Sequence, residues 1–122
     1  MTSEQVHYPT LIIVTGRPGA GKTTLSRKLA QAVRCPLISR DEMKEGLVNT
    51  LGANPDTELD LTRHVYHTFF DTLDLLLNQQ ITLIAEAAFQ HKVWSPKLEP
   101  LQDIVRIKII LCTISPLLAK SR

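Results

Sequence analysis

The sequence predicts an α/β fold in which a parallel sheet carries helices on both faces. Short apolar runs alternate along its 122 residues with longer segments whose apolar residues recur at helical spacing. The first apolar run, LIIVT at 11–15, is continuous and β-branched, which is typical of a strand covered on both faces. Strands that alternate with helices pair in parallel through right-handed crossovers, so these observations favour a single sheet between two layers of helices.

The first half of the chain supplies two strands and two helices. After LIIVT, the segment KTTLSRKLAQAVR predicts a helix with one apolar face, made of Leu25, Leu29 and Val33. PLIS at 36–39 predicts the second strand. RDEMKEGLVNTLG predicts the next helix, which ends at Gly52. The apolar face of this helix comprises Met43, Leu47 and Leu51.

A long helix opens the second half, after a turn at 54–56. Its segment is TELDLTRHVYHTFFDTLDLLLNQQ, and the stripe expected to be buried comprises Leu59, Thr62, Tyr66, Phe69, Leu73 and Leu76. The residue types at its start allow two caps. Thr57 and Asp60 resemble a capping box, and Asp56 could cap the helix equally well.

Two further strands follow, with a short helix between them. ITLIAEAAF at 81–89 predicts the third strand, and IVRIKIILCTI at 104–114 predicts the fourth. The intervening segment SPKLEPLQ predicts a helix that Ser95 caps and Pro96 begins. Ser115 and Pro116 then predict the start of another helix.

Composition and charge exclude several classes of protein. A net charge of +2 is too small to indicate nucleic-acid or membrane-surface binding. No apolar run approaches the ~18 residues that a membrane helix needs. The start MTSEQVHYPT lacks the features of a signal peptide, which predicts a cytoplasmic protein. We expect a flexible tail over 1–10 and one domain over 11–122, with Cys35 and Cys112 as buried thiols.

The segment between the first strand and the first helix matches the pattern G-x-x-x-x-G-K-[ST]. Its residues are Gly16, Arg17, Pro18, Gly19, Ala20, Gly21, Lys22 and Thr23. The glycines allow backbone N–H groups to converge on an anion at a helix start. Lys22 can then reach the β- and γ-phosphates, and the Thr23 hydroxyl can bind Mg²⁺. The predicted ligand is a nucleotide, ATP or GTP with Mg²⁺; Thr24 is included in the site, although a place in the helix would also explain it.

Polar side chains follow the second and third strands, at the sheet edge where ligands of α/β proteins bind. Asp41 could accept the proton of an attacking hydroxyl, and Arg40 or Lys44 could hold an anionic acceptor. Glu86 could order Mg²⁺ through water. Each side chain also has a purely structural interpretation. Asp41 would favour a helix start, and Arg40 could be solvated or pair with Glu42. Lys44 could lie on the helix surface, and Glu86 needs a partner because it ends an apolar run.

The remaining candidates indicate no separate site. His64 and His67 lie three residues apart on the long helix, and no third ligand converges with them. His91 is expected to be exposed in a loop, and Trp94 to pack in the core or at its rim. The sequence contains no N-K-x-D segment, and no D-x-x-G segment follows the third strand, so it does not favour a GTPase.

Taken together, these segments resemble a known family. LIIVTGRPGAGKTTLSRKLA, PLISRDEMKEGL, LIAEAAF and VRIKIILC are similar to the small P-loop kinases related to polynucleotide 5′-kinase, gluconate kinase, chloramphenicol phosphotransferase and zeta-toxin-like proteins. Some members are described only as AAA-family ATPases. The resemblance implies ATP and Mg²⁺ as cofactors, Asp41 as general base, and Arg40 and Lys44 beside the acceptor. It also implies a P-loop NTPase sheet with strand order 2-3-1-4-5 and a mobile lid that carries arginines.

The sequence departs from this family after the fourth strand, because it stops at Arg122, where the first lid arginine would fall. We therefore expect the order 2-3-1-4 with the fifth strand missing, and a C-terminally incomplete domain. The fourth strand would then be an apolar edge at which two copies could pair as a homodimer. Two hypotheses remain: a phosphotransferase that moves the γ-phosphate of ATP to a hydroxyl of a small molecule or nucleic acid, and a non-catalytic or partner-dependent nucleotide-binding module.

Overall fold

The computed structural model describes residues 7–17, 19–52 and 54–113. In chain order, the elements are β1 (Thr10–Gly16), α1 (Lys22–Val33), β2 (Leu37–Ser39), α2 (Arg40–Leu51), α3 (Glu58–Asn78), β3 (Leu83–Glu86), α4 (His91–Leu98) and β4 (Arg106–Cys112). Short 3₁₀ turns cover Pro55–Thr57 and Glu99–Leu101. The strands form one parallel sheet in the order β2-β3-β1-β4, which confirms the predicted fold class and strand order.

Strand β1 lies inside the sheet and sets its register. Leu11 pairs with Leu83 of β3 on one side and with Ile107 of β4 on the other. At the carboxyl end, Glu86 pairs with Val14 of β1 and with Ser39 of β2. The ends of the three strands β1, β2 and β3 therefore meet at one edge, where ligands bind in open parallel sheets.

Helices cover both faces of the sheet. On one face, α3 and α4 pack over the larger core, whose buried residues are Leu11, Ile13, Phe69, Phe70, Leu73, Leu77, Leu83, Ala85, Ala87, Trp94, Leu98 and Val105. On the other face, α1 covers Ile12, Val14 and Ile84 through Leu29 and Ala30. Alternate side chains of β1 enter the two cores. Burial on both faces therefore explains the continuous apolar run, as the sequence predicted.

The predicted apolar face of α1 is wrong by about one residue. Leu25 and Val33 are 37% and 44% exposed, whereas Lys22 and Ser26 are buried. The helix begins at Lys22, and the side chain of Lys22 lies inside the glycine-rich loop rather than in solvent. Because Lys22 is buried, the residues four and eight positions after it, Ser26 and Ala30, also face the sheet. Of the predicted stripe, Leu29 packs against the sheet.

The predicted stripe of α3 is also displaced. Its buried residues are Leu61, Val65, Phe69, Phe70, Leu73 and Leu77, so only Phe69 and Leu73 were expected as buried. Leu59 is 68% exposed. Apart from Phe70, these buried residues recur every four positions. Phe69 and Phe70 both pack in the core and fix the rotation of the helix. The flanking residues Thr62, Tyr66 and Leu76 are half-buried.

Neither predicted cap of α3 forms. Thr57 occupies the capping position, but its hydroxyl donates a hydrogen bond to the carbonyl of Asn54 at 3.0 Å instead of accepting one from the helix. The backbone N–H of Asp56 is bonded to the side chain of Asn54 at 3.0 Å. The side chain of Asn54 and the 3₁₀ turn therefore organise this entry to the helix.

Several boundaries differ from those predicted. Helix α4 begins at His91 rather than at Pro96 with Ser95 as its cap, since burial of Trp94 and Leu98 draws the preceding turn into the helix. Pro96 consequently lies inside α4, on its exposed side. Strand β3 is shorter than 81–89, and β4 ends at Cys112. The predicted end of the fourth strand at Ile114, and the helix start at Ser115 and Pro116, lie outside the described residues.

Both cysteines are half-buried rather than fully buried. Burial raises the pKa of the Cys35 thiol above its ordinary value.

The predicted tail over 1–10 is partly ordered into the sheet. Thr10 already belongs to β1, and the carbonyl of Pro9 accepts a hydrogen bond from the backbone N–H of Arg106. Within the described ranges, no helix is both long enough and apolar enough to cross a membrane.

Candidate functional site

The glycine-rich loop has the backbone conformation that its sequence requires. Gly21 has φ +83° and forms the start of α1 in a left-handed conformation. Gly16 has φ +139°, and an added Cβ there would collide with the backbone carbonyl of Cys112 in β4. Both positions therefore exclude a side chain, one through its conformation and the other also through contact with the neighbouring strand.

Lys22 closes the loop. Its side chain is buried, with the residue only 8% exposed, and its Nζ donates a hydrogen bond to the backbone carbonyl of Arg17 at 3.1 Å. A buried ammonium group needs partners of this kind. Lys22 stands at the start of α1, where an anion is favoured. Its ammonium group can therefore exchange the carbonyl oxygen of Arg17 for a phosphate oxygen.

Thr23 and Glu86 form a contact between α1 and β3. The Thr23 hydroxyl donates a hydrogen bond to Oε2 of Glu86 at 3.0 Å. Glu86 is 2% exposed, and its second oxygen, Oε1, is buried and has no hydrogen-bond partner among the described residues. A buried carboxylate oxygen without a partner is costly, which indicates that a cation or a water completes the site.

The donor set fits Mg²⁺, the metal that the sequence predicted. A hydroxyl and a carboxylate are oxygen ligands of the kind that Mg²⁺ takes, together with phosphates and water. Over the part of the chain that the structure describes, no cluster of three or more His, Cys, Asp or Glu side chains could hold a metal by itself.

The start of α2 places Arg40 and Asp41 at the same edge. The Ser39 hydroxyl caps the helix by accepting the backbone N–H of Glu42 at 3.3 Å. Asp41 is exposed, with 70% of its side chain accessible, and its Oδ1 lies 3.2 Å from Nη1 of Arg40. The side chain of Arg40 is 21% exposed, and its Nε has no partner within the described segments.

The other charges of α2 have different partners from those expected. Glu42 does not pair with Arg40; it pairs with Arg27 of α1 at 2.8 Å, and its hydrogen bond and charge raise the pKa of Arg27. Lys44 is not free on the helix surface, because it pairs with Glu58 in the first turn of α3. Sequence reasoning missed Glu58, since no local pattern connects residues on two helices that lie 14 positions apart.

A pocket of about 420 Å³ brings most of the predicted residues together. It is lined by Gly19, Gly21, Lys22, Thr23, Thr24, Arg40, Asp41, Glu86 and Ala88. The predicted residues Gly16, Arg17, Ala20 and Lys44 are not among its lining residues, and Pro18 lies outside the described residues. Ala88 was missed, although its place two residues after Glu86 at the end of β3 could have indicated it. Part of the phosphate loop, the carboxylate of β3 and the start of α2 thus share one small pocket.

A larger apolar groove of about 1100 Å³ lies between α4 and β4. Gly16 and Arg17 line one part of it, and Trp94, Ile109 and Leu111 line its apolar part. Trp94 is 4% exposed and belongs to a cluster of aromatic rings with Phe69, Phe70 and Phe89, so its predicted packing role is confirmed. His64, His67 and His91 are exposed, and His91 begins α4 rather than lying in a loop.

Comparisons with known proteins give a consistent result. The sequence profile of a family described as AAA domain matches residues 11–122. The crystal structure of a candidate kinase from Chloroflexus aurantiacus is 31% identical, with a TM-score of 0.80, over 93% of this chain and 64% of that chain. A candidate adenylate kinase of Pyrococcus furiosus is 29% identical over 79 residues, which are 63% of this chain.

More distant structures share the fold alone. A gluconokinase from Sinorhizobium meliloti is 15% identical, with a TM-score of 0.54, over 94% of this chain and 64% of that chain. The chain spans less than two thirds of each relative, and only 44% of the Pyrococcus furiosus protein.

Proposed function

The chain belongs to the AAA domain family of P-loop kinase-like proteins, and we propose that it is an ATP-dependent phosphotransferase. It would move the γ-phosphate of ATP to a hydroxyl of a small molecule or a nucleic acid. One observation carries this proposal: the phosphate loop and the exposed carboxylate of Asp41 line the same pocket of about 420 Å³. We also propose that residues 11–122 form the nucleotide-binding domain and that the protein acts in the cytoplasm.

The loop would bind the triphosphate. Lys22 would leave the carbonyl of Arg17 for the β- and γ-phosphates, and the N–H groups at the start of α1 would face the same anion. Thr23 and Glu86 would hold Mg²⁺, which neutralises charge on the phosphates when it is bound. The free Oε1 of Glu86 supports this assignment, because the buried oxygen needs a partner that the described protein does not supply.

Asp41 would act as the general base. It would accept the proton of the acceptor hydroxyl while the hydroxyl oxygen forms a bond to the γ-phosphorus and the bond to the leaving ADP oxygen breaks. Its 3.2 Å contact with Arg40 orients the carboxylate at the rim of the pocket. High exposure supports this role, since a base at the rim remains accessible to an incoming acceptor.

The melting temperature with and without Mg-ATP tests the proposal. Saturation to ~100 times the dissociation constant stabilises a protein by about 2.7 kcal/mol, and ~1 kcal/mol moves the melting temperature of a domain near this size by roughly 4 °C. We therefore expect a rise of about ten degrees, absent in Lys22→Ala. An equal rise in both proteins would contradict the assignment of the phosphate loop.

A second candidate function is a nucleotide-binding module that acts with a partner. It is favoured by the apolar edge strand β4, on which Ile109 and Leu111 are 58% and 65% exposed. Two copies could pair through this edge and form a continuous sheet. Size-exclusion chromatography of the purified chain beside Ile109→Lys tests it. A dimer that the substitution dissociates would support pairing, and a monomer at all concentrations would exclude it.

A further inference from the structure

The acceptor side of the site has cations whose charges are already balanced. Arg40 contacts the carboxylate of Asp41, and Lys44 contacts that of Glu58. On the adjacent surface, Arg27 contacts Glu42 at 2.8 Å. In these three ion pairs, three positive charges are matched by three negative charges around the beginning of α2. In contrast, sites that recognise a phosphate or carboxylate group use arginine or lysine donors that are free to bind it.

Lys44 would be the natural anion-binding residue if it were free. It lies four positions after Arg40, so both side chains share one face of α2, and Arg40 lines the pocket. Glu58 instead holds Lys44 against the first turn of α3, and Lys44 does not line the pocket. An acceptor with a phosphate group would meet the carboxylate of Asp41, which lines the pocket and is 70% exposed.

We propose that the acceptor is an uncharged hydroxyl compound, such as a polyol, sugar or nucleoside, and that Glu58 determines this specificity by neutralising Lys44. This inference rests on the proposed phosphotransferase function. Of the described cations that line the pocket, Arg40 pairs with a carboxylate and Lys22 contacts a backbone carbonyl, and the triphosphate of ATP would use Lys22. Glu58 thus acts through Lys44 and does not itself contact the acceptor.

The test uses matched acceptors with a free hydroxyl. Transfer from Mg-ATP is measured to adenosine against adenosine 3′-monophosphate, and to glycerol against glycerol 3-phosphate. We expect a higher kcat/KM for the uncharged member of each pair. Glu58→Gln frees Lys44 and should raise kcat/KM for the phosphorylated member by about tenfold relative to the uncharged one. Asp60→Asn is the matched control, because it removes a carboxylate from the same helical turn without touching Lys44 and should leave the ratio unchanged.

Two results would overturn the acceptor class. One is a preference of the unaltered chain for the phosphorylated members, and the other is a ratio that Glu58→Gln does not change. Transfer to neither uncharged compound, while Mg-ATP still raises the melting temperature, would also reject it and leave nucleotide binding intact. Failure of Mg-ATP to raise the melting temperature would instead reject the proposed function itself.

Inorganic phosphate provides a second measurement that needs no acceptor. In Lys22→Ala the phosphate loop lacks its cation, so calorimetric titration with phosphate reports on the acceptor side. We expect no binding in Lys22→Ala and measurable binding after Glu58→Gln is added. Phosphate binding in Lys22→Ala that is lost on Lys44→Ala would show that Glu58 does not block Lys44, and would overturn the inference.

Discussion

The Thr23 hydroxyl donates a hydrogen bond to Oε2 of Glu86 across 3.0 Å, and this bond connects the first turn of α1 to the end of β3. It satisfies one oxygen of a carboxylate that is 2% exposed. The other oxygen, Oε1, is buried without a partner in the described part of the chain. The described residues at the sheet edge therefore leave this carboxylate only partly compensated, and buried groups of this kind are characteristic of binding sites.

We expect Glu86→Gln to separate stability from ligand binding. Without ligand, the melting temperature should stay equal or rise, because a buried charge with one unpartnered oxygen is replaced by a neutral amide. With Mg-ATP, most of the ligand-induced rise should be lost, since the amide is a poor ligand for Mg²⁺. Thermal unfolding with and without Mg-ATP measures both effects. Exposed Glu99 provides the control Glu99→Gln, and an undiminished response to Mg-ATP in Glu86→Gln would contradict the metal assignment.

Asp41→Asn should remove phosphoryl transfer and retain nucleotide binding. The amide keeps the shape of the side chain at the rim but cannot accept the acceptor proton, and general-base catalysis contributes about 10²–10⁴-fold. Transfer rates and the Mg-ATP-induced change in melting temperature are measured on the same samples. Glu45→Gln, which removes an exposed carboxylate elsewhere on α2, should keep the rate. If Asp41→Asn and the unaltered chain transfer phosphate equally fast, Asp41 only stabilises the helix start.

The sequence was sufficient to predict the parallel α/β fold and the loop, because these depend on local features, whereas the strand order was implied by the resemblance to P-loop kinases. Four apolar segments of strand length and one motif at a strand–helix junction specify where a parallel sheet places its ligand edge. The convergence of Lys22, Thr23, Arg40, Asp41 and Glu86 on one pocket follows from that topology. Their roles in catalysis remain predictions, which the substitutions proposed above test.

The rotation of the helices and the ion pairs could not be predicted in this way. In α3, Leu59 and Leu61 suit a buried stripe equally by type, and the packing of Phe69 and Phe70 against the sheet selects Leu61. The partner of Lys44 depends on how α2 and α3 lie against each other, which no spacing within one helix reveals. Such features arise from tertiary packing, and the acceptor side of the site depends on them most.

Asp74 on α3 should make stability depend on pH. Its pKa is raised first by burial and then by repulsion from Asp71, while Lys97 opposes the shift. A raised pKa in the folded state means that ionised Asp74 destabilises the fold above that pKa, and that this cost disappears below the unfolded value of about 3.9. Asp74→Asn should therefore stabilise the chain at neutral pH, by less than ~1 kcal/mol because the side chain is exposed. Urea unfolding at several pH values measures it, and a gain that persists at pH ~3 would contradict this explanation.

Two glycine-to-alanine substitutions should change stability in opposite directions. At Gly16, the φ of +139° is unfavourable for alanine, and the added Cβ would collide with the carbonyl of Cys112, so β1 and β4 would have to separate beside the phosphate loop. We expect Gly16→Ala to cost at least ~1–3 kcal/mol of unfolding free energy. At Gly46, inside α2, an added Cβ meets no atom within 4 Å, so Gly46→Ala should stabilise the helix by roughly 0.5–1 kcal/mol. Urea unfolding of both variants compares them directly. Because the strain at Gly16 acts on the loop itself, the response to Mg-ATP should weaken in Gly16→Ala and persist in Gly46→Ala, whereas a tolerated alanine at Gly16 would show that β4 does not constrain the loop.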